Sequence, residues 1–350
     1  MSLEPKFQLS CDNHNNAPII VRWNPKGFGF AVACSNNKLI HYDNTGRVIE
    51  EKEVDEGIRD ICWDRDGRTL AIASATKSWI YLWNVAKRTT DMMESHLCGN
   101  DELPTCLSWS VWSLDSPTLV IGNDQGYLTI FDQKTGKRRI LEDKHQSVVI
   151  ELTILPGDLI FSCSDGTLSI NRMFGLNVSS CKVKGKPSML DHYVVSGENG
   201  RPQIMVSAVI EKKFLFLAPS DNMTSSQHIT FQERYGEIKA YSWYNSSQIL
   251  VGFETGFVVM VSAKDPFGAE INCFREFETN LSGLVVDKTL KHYIAIGDKS
   301  VKVRKLDVER KVEEKSLGSK KNLDGLQLAK DGKSIAISNC VGALSVFRVA

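Results

Sequence analysis

The phrase FAVACS, beginning at Phe30, returns seven more times: LAIASA from Leu70, LVIGND from Leu119, LIFSCS from Leu159, IMVSAV from Ile204, ILVGFE from Ile249, IAIGDK from Ile294 and IAISNC from Ile335. The starts lie 40, 49, 40, 45, 45, 45 and 41 residues apart, a mean of about 44 that matches a four-stranded propeller blade. In each copy the fourth residue is small: Ala33, Ala73, Gly122, Ser162, Ser207, Gly252, Gly297 and Ser338. A strand that is apolar on its flanks and small at one fixed place has a neighbour pressed against it there. The expected cause is convergence of the inner strands toward a central axis.

The flanks fill in the unit. Ahead of several copies an apolar strand closes on an aromatic residue and a turn, as in VRW then NPKG at Val21 to Gly27, ICW then DRDG at Ile61 to Gly67, LSW at Leu107 to Trp109 and YSW at Tyr241 to Trp243. Trp23, Trp63, Trp109 and Trp243 are thus candidates for blade packing beside the eight small residues. Behind the copies lie a turn and a further apolar strand, as in KLIHYD from Lys38, WIYLWN from Trp79 and FVVMVS from Phe257. Gly, Asn and Asp stand at the turns, where positive φ or side-chain capping is required. A fourth strand is expected over Glu50 to Val54, Arg138 to Leu141 and Val312 to Leu317. No stretch holds a 3.6-residue apolar period over a dozen residues.

The fold class that follows is all-β: a single β-propeller over residues 1–350, with eight four-stranded blades. Lys6 to Ser10 is expected to pair with Val346 to Val349, so that the N- and C-terminal strands close the ring and remove its exposed edges. A seven-bladed ring, with the atypical fifth unit absorbed as an insertion, is the alternative.

Composition sets limits. Lys plus Arg and Asp plus Glu number 42 each, so no global charge draws the chain to nucleic acid. Local basic clusters stand at Lys137 to Arg139 and Lys299 to Lys305, and read as solvated strand faces. The nine Cys residues are scattered without metal spacing, several inside strands where a free thiol behaves as a small hydrophobe. With no secretory signal and no apolar run long enough to span a bilayer, the expectation is a reducing compartment and at most peripheral membrane contact.

Chemistry-bearing motifs are partial. Gly332-Lys333-Ser334 resembles the end of a phosphate loop, but Gln327 stands where its first glycine belongs. Gly27 and Gly29 begin a dinucleotide fingerprint that Val32 ends. Asp64 to Gly67 has a calcium-loop flavour and reads better as a hairpin turn. The expectation is therefore no catalytic residue, no cofactor and no metal. His145 is the histidine of most interest: Lys144-His145 precedes a unit start where the WD-repeat family, which these units resemble, places a Gly-His pair, and that resemblance implies a buried network with Ser162 or Ser164 and Asp165, left incomplete because polar residues near Asn171 stand where the family has a Trp. Partner contacts are expected on the long polar stretches Lys87 to Leu103 and Asp191 to Pro202, and on Pro219 to Gln227.

Trp83-Asn84, Tyr42-Asp43, Phe131-Asp132 and Leu306-Asp307 stand where the WD-repeat family places its Trp-Asp pair, so the units resemble degenerate WD repeats. Over LAIASATKSWIYLWN (Leu70 to Asn84), YGEIKAYSWYNSSQILVGFETGFVVMVS (Tyr235 to Ser262) and DKTLKHYIAIGDKSVKVRKL (Asp287 to Leu306) the chain resembles the amino-terminal propeller of a WD-repeat subunit of intraflagellar transport complex A. The likeness runs in register from about Pro18 to Phe347. It implies the first domain of a longer chain that continues into a second propeller and a helical solenoid. It also implies a non-enzymatic scaffold of retrograde ciliary transport at the cilium, the ciliary base and in the cytoplasm; the alternative is another WD-repeat adaptor, for coat-type cargo binding or as a ubiquitin-ligase substrate receptor. The implied partners are the other complex A subunits, with tubby-like cargo adaptors and retrograde dynein trains as further candidates.

Overall fold

The computed structural model describes residues 3–14, 19–35, 37–54, 57–94, 102–110, 116–196, 202–287, 291–306, 312–316 and 322–349. Among these there is no α-helix; three short 3-10 turns interrupt strands that form eight separate four-stranded antiparallel sheets. Blade 1 comprises Ile19–Trp23, Phe30–Cys34, Lys38–Tyr42 and Val48–Glu53, and blade 2 comprises Ile58–Trp63, Thr69–Ser74, Trp79–Asn84 and Thr89–Glu94. Blade 3 is Pro104–Trp109, Thr118–Asn123, Leu128–Asp132 and Arg138–Ile140; blade 4 is Glu151–Leu155, Leu159–Ser164, Thr167–Arg172 and Asn177–Lys182. Blade 5 is Pro187–Ser196, Pro202–Ile210, Phe214–Pro219 and Gln227–Thr230; blade 6 is Ile238–Asn245, Gln248–Phe253, Phe257–Ser262 and Glu270–Arg275. Blade 7 is Leu281–Asp287, His292–Gly297, Ser300–Lys305 and Val312–Ser316, and blade 8 is Leu323–Leu328, Ser334–Asn339, Leu344–Val349 and, from the other end of the chain, Leu3–Leu9.

The ring is therefore eight-bladed, and the fifth unit is a full blade whose first strand is its longest. Closure is as expected: Leu3 pairs with Val349 and Leu9 with Leu344. His14, on the segment leading from this strand into blade 1, latches the seam. Its Nδ1 lies 2.6 Å from the Gly342 carbonyl of blade 8 and its Nε2 3.1 Å from the Tyr42 hydroxyl of blade 1. The carbonyl can only accept, so Nδ1 carries the proton and Nε2 accepts from tyrosine.

The core is divided into eight apolar layers, each shared between neighbouring blades. Phe30, Val32 and Tyr42 of blade 1 pack with Val346 of blade 8, and Ile249, Val251 and Trp243 of blade 6 pack with Val209, Leu215 and Leu217 of blade 5. This is why the second strands are buried along their whole length, as at Thr69–Ser74 and Thr118–Asn123: both faces meet a neighbour, so the strand loses the usual alternation.

In six blades the pairing of the first with the second strand slips by a residue near the start, between Ile58 and Asp60, Pro104 and Cys106, Ser188 and Asp191, Ile238 and Ala240, Leu281 and Gly283, and Leu323 and Gly325. Such bulges increase local twist, which suits a strand lining a narrow axis.

Two rims result. Turns from first to second strand and from third to outer strand lie on one, here the turn rim. Turns from second to third strand and the blade-to-blade connectors lie on the other, the connector rim. Neighbouring turn-rim loops are tied together: Asn24 Nδ2 donates to the Gly67 carbonyl at 2.8 Å, and Ser110 Oγ to Asp158 Oδ1 at 2.8 Å.

Candidate functional site

All eight small residues are buried on second strands. The crowding there differs from the sequence expectation, because the atoms that fill the space are not converging inner strands alone. A Cβ at Gly122 would lie 2.7 Å from Cys106 Sγ, on the inner strand, and 2.7 Å from Val149 Cγ1, in the connector to blade 4. At Gly252 it would meet Leu281 Cδ2, where blade 7 begins, at 2.9 Å, and at Gly297 the Asn280 carbonyl and the Phe277 ring. The connector between blades folds over the second strand, and the small residue makes room for it.

Where the small residue is serine, its hydroxyl is used. Ser207 Oγ takes the Tyr241 hydroxyl at 3.0 Å and the Trp243 indole N–H at 2.9 Å from blade 6, while Ser338 Oγ donates to Asp324 Oδ1 at 3.1 Å. Ser162 Oγ lies 2.9 Å from His145 Nε2.

The His145 network holds more members than expected and omits one. Ser164 Oγ lies 2.9 Å from Nδ1, Ser169 Oγ 3.0 Å from Nε2, and Asn171 Nδ2 donates to Ser169 Oγ at 3.3 Å. Asp165 is not among these partners; the third strand supplies Ser169 and Asn171 in its place. Burial pushes the imidazole down to about 4, so it is neutral at pH 7 and pins the connector to blade 4.

Trp23, Trp63 and Trp109 end their first strands, Trp243 lies two residues short of the end of its own, and all four reach backward around the ring. Trp63 Nε1 donates to the Arg22 carbonyl at 3.0 Å, Trp109 Nε1 to the Cys62 carbonyl at 3.2 Å and Trp23 Nε1 to the Gln327 carbonyl at 3.3 Å. Each acceptor precedes the equivalent strand end of the preceding blade, so one bond is repeated across three consecutive seams. Sequence reading found the tryptophans but not this bond, whose acceptor is a backbone atom with no residue-type signature. It also missed Asp60, which accepts from Arg22 of blade 1 at 3.3 Å and from the Leu107 amide of blade 3 at 3.1 Å, joining three blades.

The basic stretch Lys299 to Lys305 is more engaged than a solvated face. Lys302 pairs with Glu314 at 3.4 Å, and Arg304 Nε donates to buried Glu276 at 2.6 Å beside the Tyr293 hydroxyl. The stretches expected to be partner loops are corrected in part. Thr89–Glu94 is the outer strand of blade 2, Asp191 to Ser196 belongs to the inner strand of blade 5, and Met223 of the third stretch is buried in a 3-10 turn. Residues 95–101 and 197–201 of those stretches, Asp307 and Leu317 lie outside the described residues. Asp64 to Gly67 is a hairpin turn, with Asp64 Oδ1 accepting the Arg68 amide at 2.8 Å. Among the described residues no three His, Cys, Asp or Glu side chains are grouped to hold a metal ion, and no helix is long and apolar enough to cross a membrane.

This architecture agrees with comparisons to known proteins. The family model of the WDR19 first β-propeller matches residues 19–342. The chain belongs to this family. Within it, WD repeat-containing protein dyf-2 of Caenorhabditis elegans is 39% identical over 350 residues, covering 99% of this chain and 25% of that protein. WD repeat-containing protein 19 of Mus musculus is 26% identical over 365 residues, covering 97% and 26%, and that of Homo sapiens 25% over 338 residues, covering 95% and 25%. The chain thus spans about a quarter of the length of the curated relatives it matches. Among solved structures, the computationally designed Ika8 protein superposes with a TM-score of 0.75 at 14% identity, covering 99% of this chain and 100% of that one. The C-terminal WD40 domain of Sif2 does so with a TM-score of 0.73 at 14% identity, covering 99% and 98%. Both bear on fold alone.

Proposed function

We propose that this propeller is a non-catalytic protein–protein interaction scaffold of intraflagellar transport complex A, acting in retrograde ciliary transport, cilium assembly and ciliary import of membrane proteins. The observation that carries the reading is the match of the WDR19 first β-propeller over residues 19–342, supported by 39% identity along nearly the whole chain to dyf-2. In this reading the chain is the first domain of a longer protein with a second propeller and a helical solenoid, located at the cilium, the ciliary base and in the cytoplasm. Its partners are the other complex A subunits, with tubby-like adaptors and retrograde dynein trains meeting the assembled complex. The eight small residues and the four tryptophans serve to pack blade on blade. A rigid ring with variable loops at both rims suits such a role.

The test is localisation. Ciliated cells lacking the endogenous protein receive either the full-length protein or a version without residues 1–350. The full-length protein should enter cilia and clear retrograde cargo, and the shortened one should leave cargo accumulated at the tip. Normal clearance by both would contradict the reading.

A further inference from the structure

Blades 1 to 3 each carry a buried aromatic residue near the end of the third strand, Tyr42, Trp83 and Phe131. Blade 4 has Asn171 there, and the seam it shares with blade 3 is hollow. The segment that leaves Arg138–Ile140, the outer strand of blade 3, forms one wall of the hollow; the hairpin between the third and outer strands of blade 4 forms the other. Two cavities lie between them. One, of about 220 Å³, is lined by Arg139 to Asp143 and by Phe174 to Leu176. The other, of about 360 Å³, is lined by Asp143 to Gln146 on one side and by Asn171, Asn177, Ser180 and Lys182 on the other. Asp143 borders both, and the residues of each wall run on consecutively from the first cavity to the second, so the two form one groove.

The two ends of the groove differ in chemistry. At the first, Phe174 and Leu176 are 70% and 71% exposed, the highest values of any large apolar side chain among the described residues. Arg139 holds this lip in place, donating to the Met173 carbonyl with its guanidinium 5.6 Å over the Phe174 ring. At the second end the walls are polar, and the hydrogen-bonding capacity behind them is only partly used. Asn171 is 1% exposed; its Nδ2 donates to Ser169 Oγ at 3.3 Å and its Oδ1 accepts from Asn177 Nδ2 at 2.9 Å. One buried N–H of Asn171, with the carbonyl and second N–H of Asn177, is left without a protein partner among the described residues. Exposed Lys144 and Lys182 line the same cavity. Asp143 is the one acid there, and its Oδ2 already accepts the Asn177 amide at 3.0 Å. Glu142 lines the apolar end instead.

We propose that the groove between blades 3 and 4 binds an extended peptide segment of a partner protein, one that carries an Asp or Glu side chain and, a few residues away, a Leu, Ile or Phe. The carboxylate enters the polar cavity, where Lys144, Lys182 and the unused Asn171 N–H supply charge and a donor. The apolar residue covers Phe174 and Leu176, which are otherwise left in water. Glu142 sets the direction, since an acid of the peptide placed beside it would be repelled. One ligand thus satisfies both ends: the lip lacks cover and the cavity lacks an acceptor. The inference deepens the scaffold reading by naming a surface and a class of partner, and rests on that reading only in taking the partner to be a protein. Peptide binding by the purified chain and the need for the domain in cilia are separate measurements, so either can fail alone.

Selection from a displayed library of random peptides on the purified chain, followed by anisotropy titration of the labelled consensus peptide, tests it. Enriched peptides should pair an acid with a large apolar residue at one fixed spacing. Lys144→Glu with Lys182→Glu should weaken binding about tenfold or more, and Phe174→Ser with Leu176→Ser by a similar factor, as when the anchors of an interface are removed. Ser180→Trp, at an exposed position on the polar cavity, should block binding, and Lys330→Glu, in an exposed turn of blade 8, should not change it. Replacing the acid of the peptide by its amide should weaken binding severalfold. All of these positions are exposed, and unchanged Tm separates lost binding from lost fold. No enrichment, enriched peptides without an acid, or binding indifferent to changes at both ends of the groove would overturn the proposal. Association of the chain with itself that is lost in Phe174→Ser with Leu176→Ser would overturn it as well, and assign the lip to a second copy.

Discussion

The indole N–H of Trp63 ends 3.0 Å from the carbonyl of Arg22, one blade back around the ring. The bond recurs from Trp109 to Cys62 and from Trp23 to Gln327, so blades 1 to 3 are each fastened to their predecessor by a side chain that also closes the apolar layer. Trp63→Phe keeps most of the apolar contact and removes the hydrogen bond, while the Arg22 carbonyl stays in the ladder with Ala31. It should cost about 0.5–1.5 kcal/mol, read from urea unfolding. A loss below the error of that measurement would mean that the bond contributes nothing net.

Gly122 tests the crowding under the connectors. Gly122→Val places a side chain against Cys106 and Val149, both closer than 3 Å to its Cβ, and overpacking of this kind costs about 1–3 kcal/mol or more. Gly175→Ala, with its nearest neighbour at 3.9 Å, should be close to neutral. Equal effects would remove the steric explanation for the small position.

Arg304 and Glu276 form a partly buried pair, with Glu276 2% exposed and Tyr293 on the same carboxylate oxygen. Removing one partner strands the other charge in the core, a change that costs about 3–5 kcal/mol in buried pairs. Arg304→Met should therefore lower Tm far more than Lys302→Met, whose exposed partner Glu314 can turn to water.

Acid should loosen the seam at His145. Burial lowers its pKa from 6.5 to about 4, so the unfolded chain takes up a proton near 6.5 and the folded chain only near 4. The contribution is present above 6.5 and is lost as pH falls toward 4. Burial raises Asp60 and Glu151, which act in the opposite sense, but they are common to both chains in a comparison with His145→Gln. The variant should lose stability less steeply than the natural chain between these pH values; parallel curves would contradict the assignment.

Second and third strands were legible because they carry the repeat: FAVACS and KLIHYD are apolar at fixed spacing, and burial on both faces keeps them so. Outer strands were mostly not. Glu270–Arg275 is exposed along nearly its whole length and Asn177–Lys182 on alternate positions at best, because an outer strand has one open edge and little neighbour to cover it. The same physics hid Thr89–Glu94 inside a stretch that reads as polar loop. Ser162 and Ser164 of the His145 network were within reach of sequence reasoning; Ser169 was not, and the position near Asn171 reads as a gap in the network, since both residues arrive from a third strand by register alone.

The central claim is that the propeller is a docking module, and affinity capture from ciliated cells tests it most directly, comparing the full-length protein with one lacking residues 1–350. The account predicts that at least one complex A subunit or cargo adaptor is recovered only when the propeller is present. Recovery of the same proteins in the same amounts from both would contradict it.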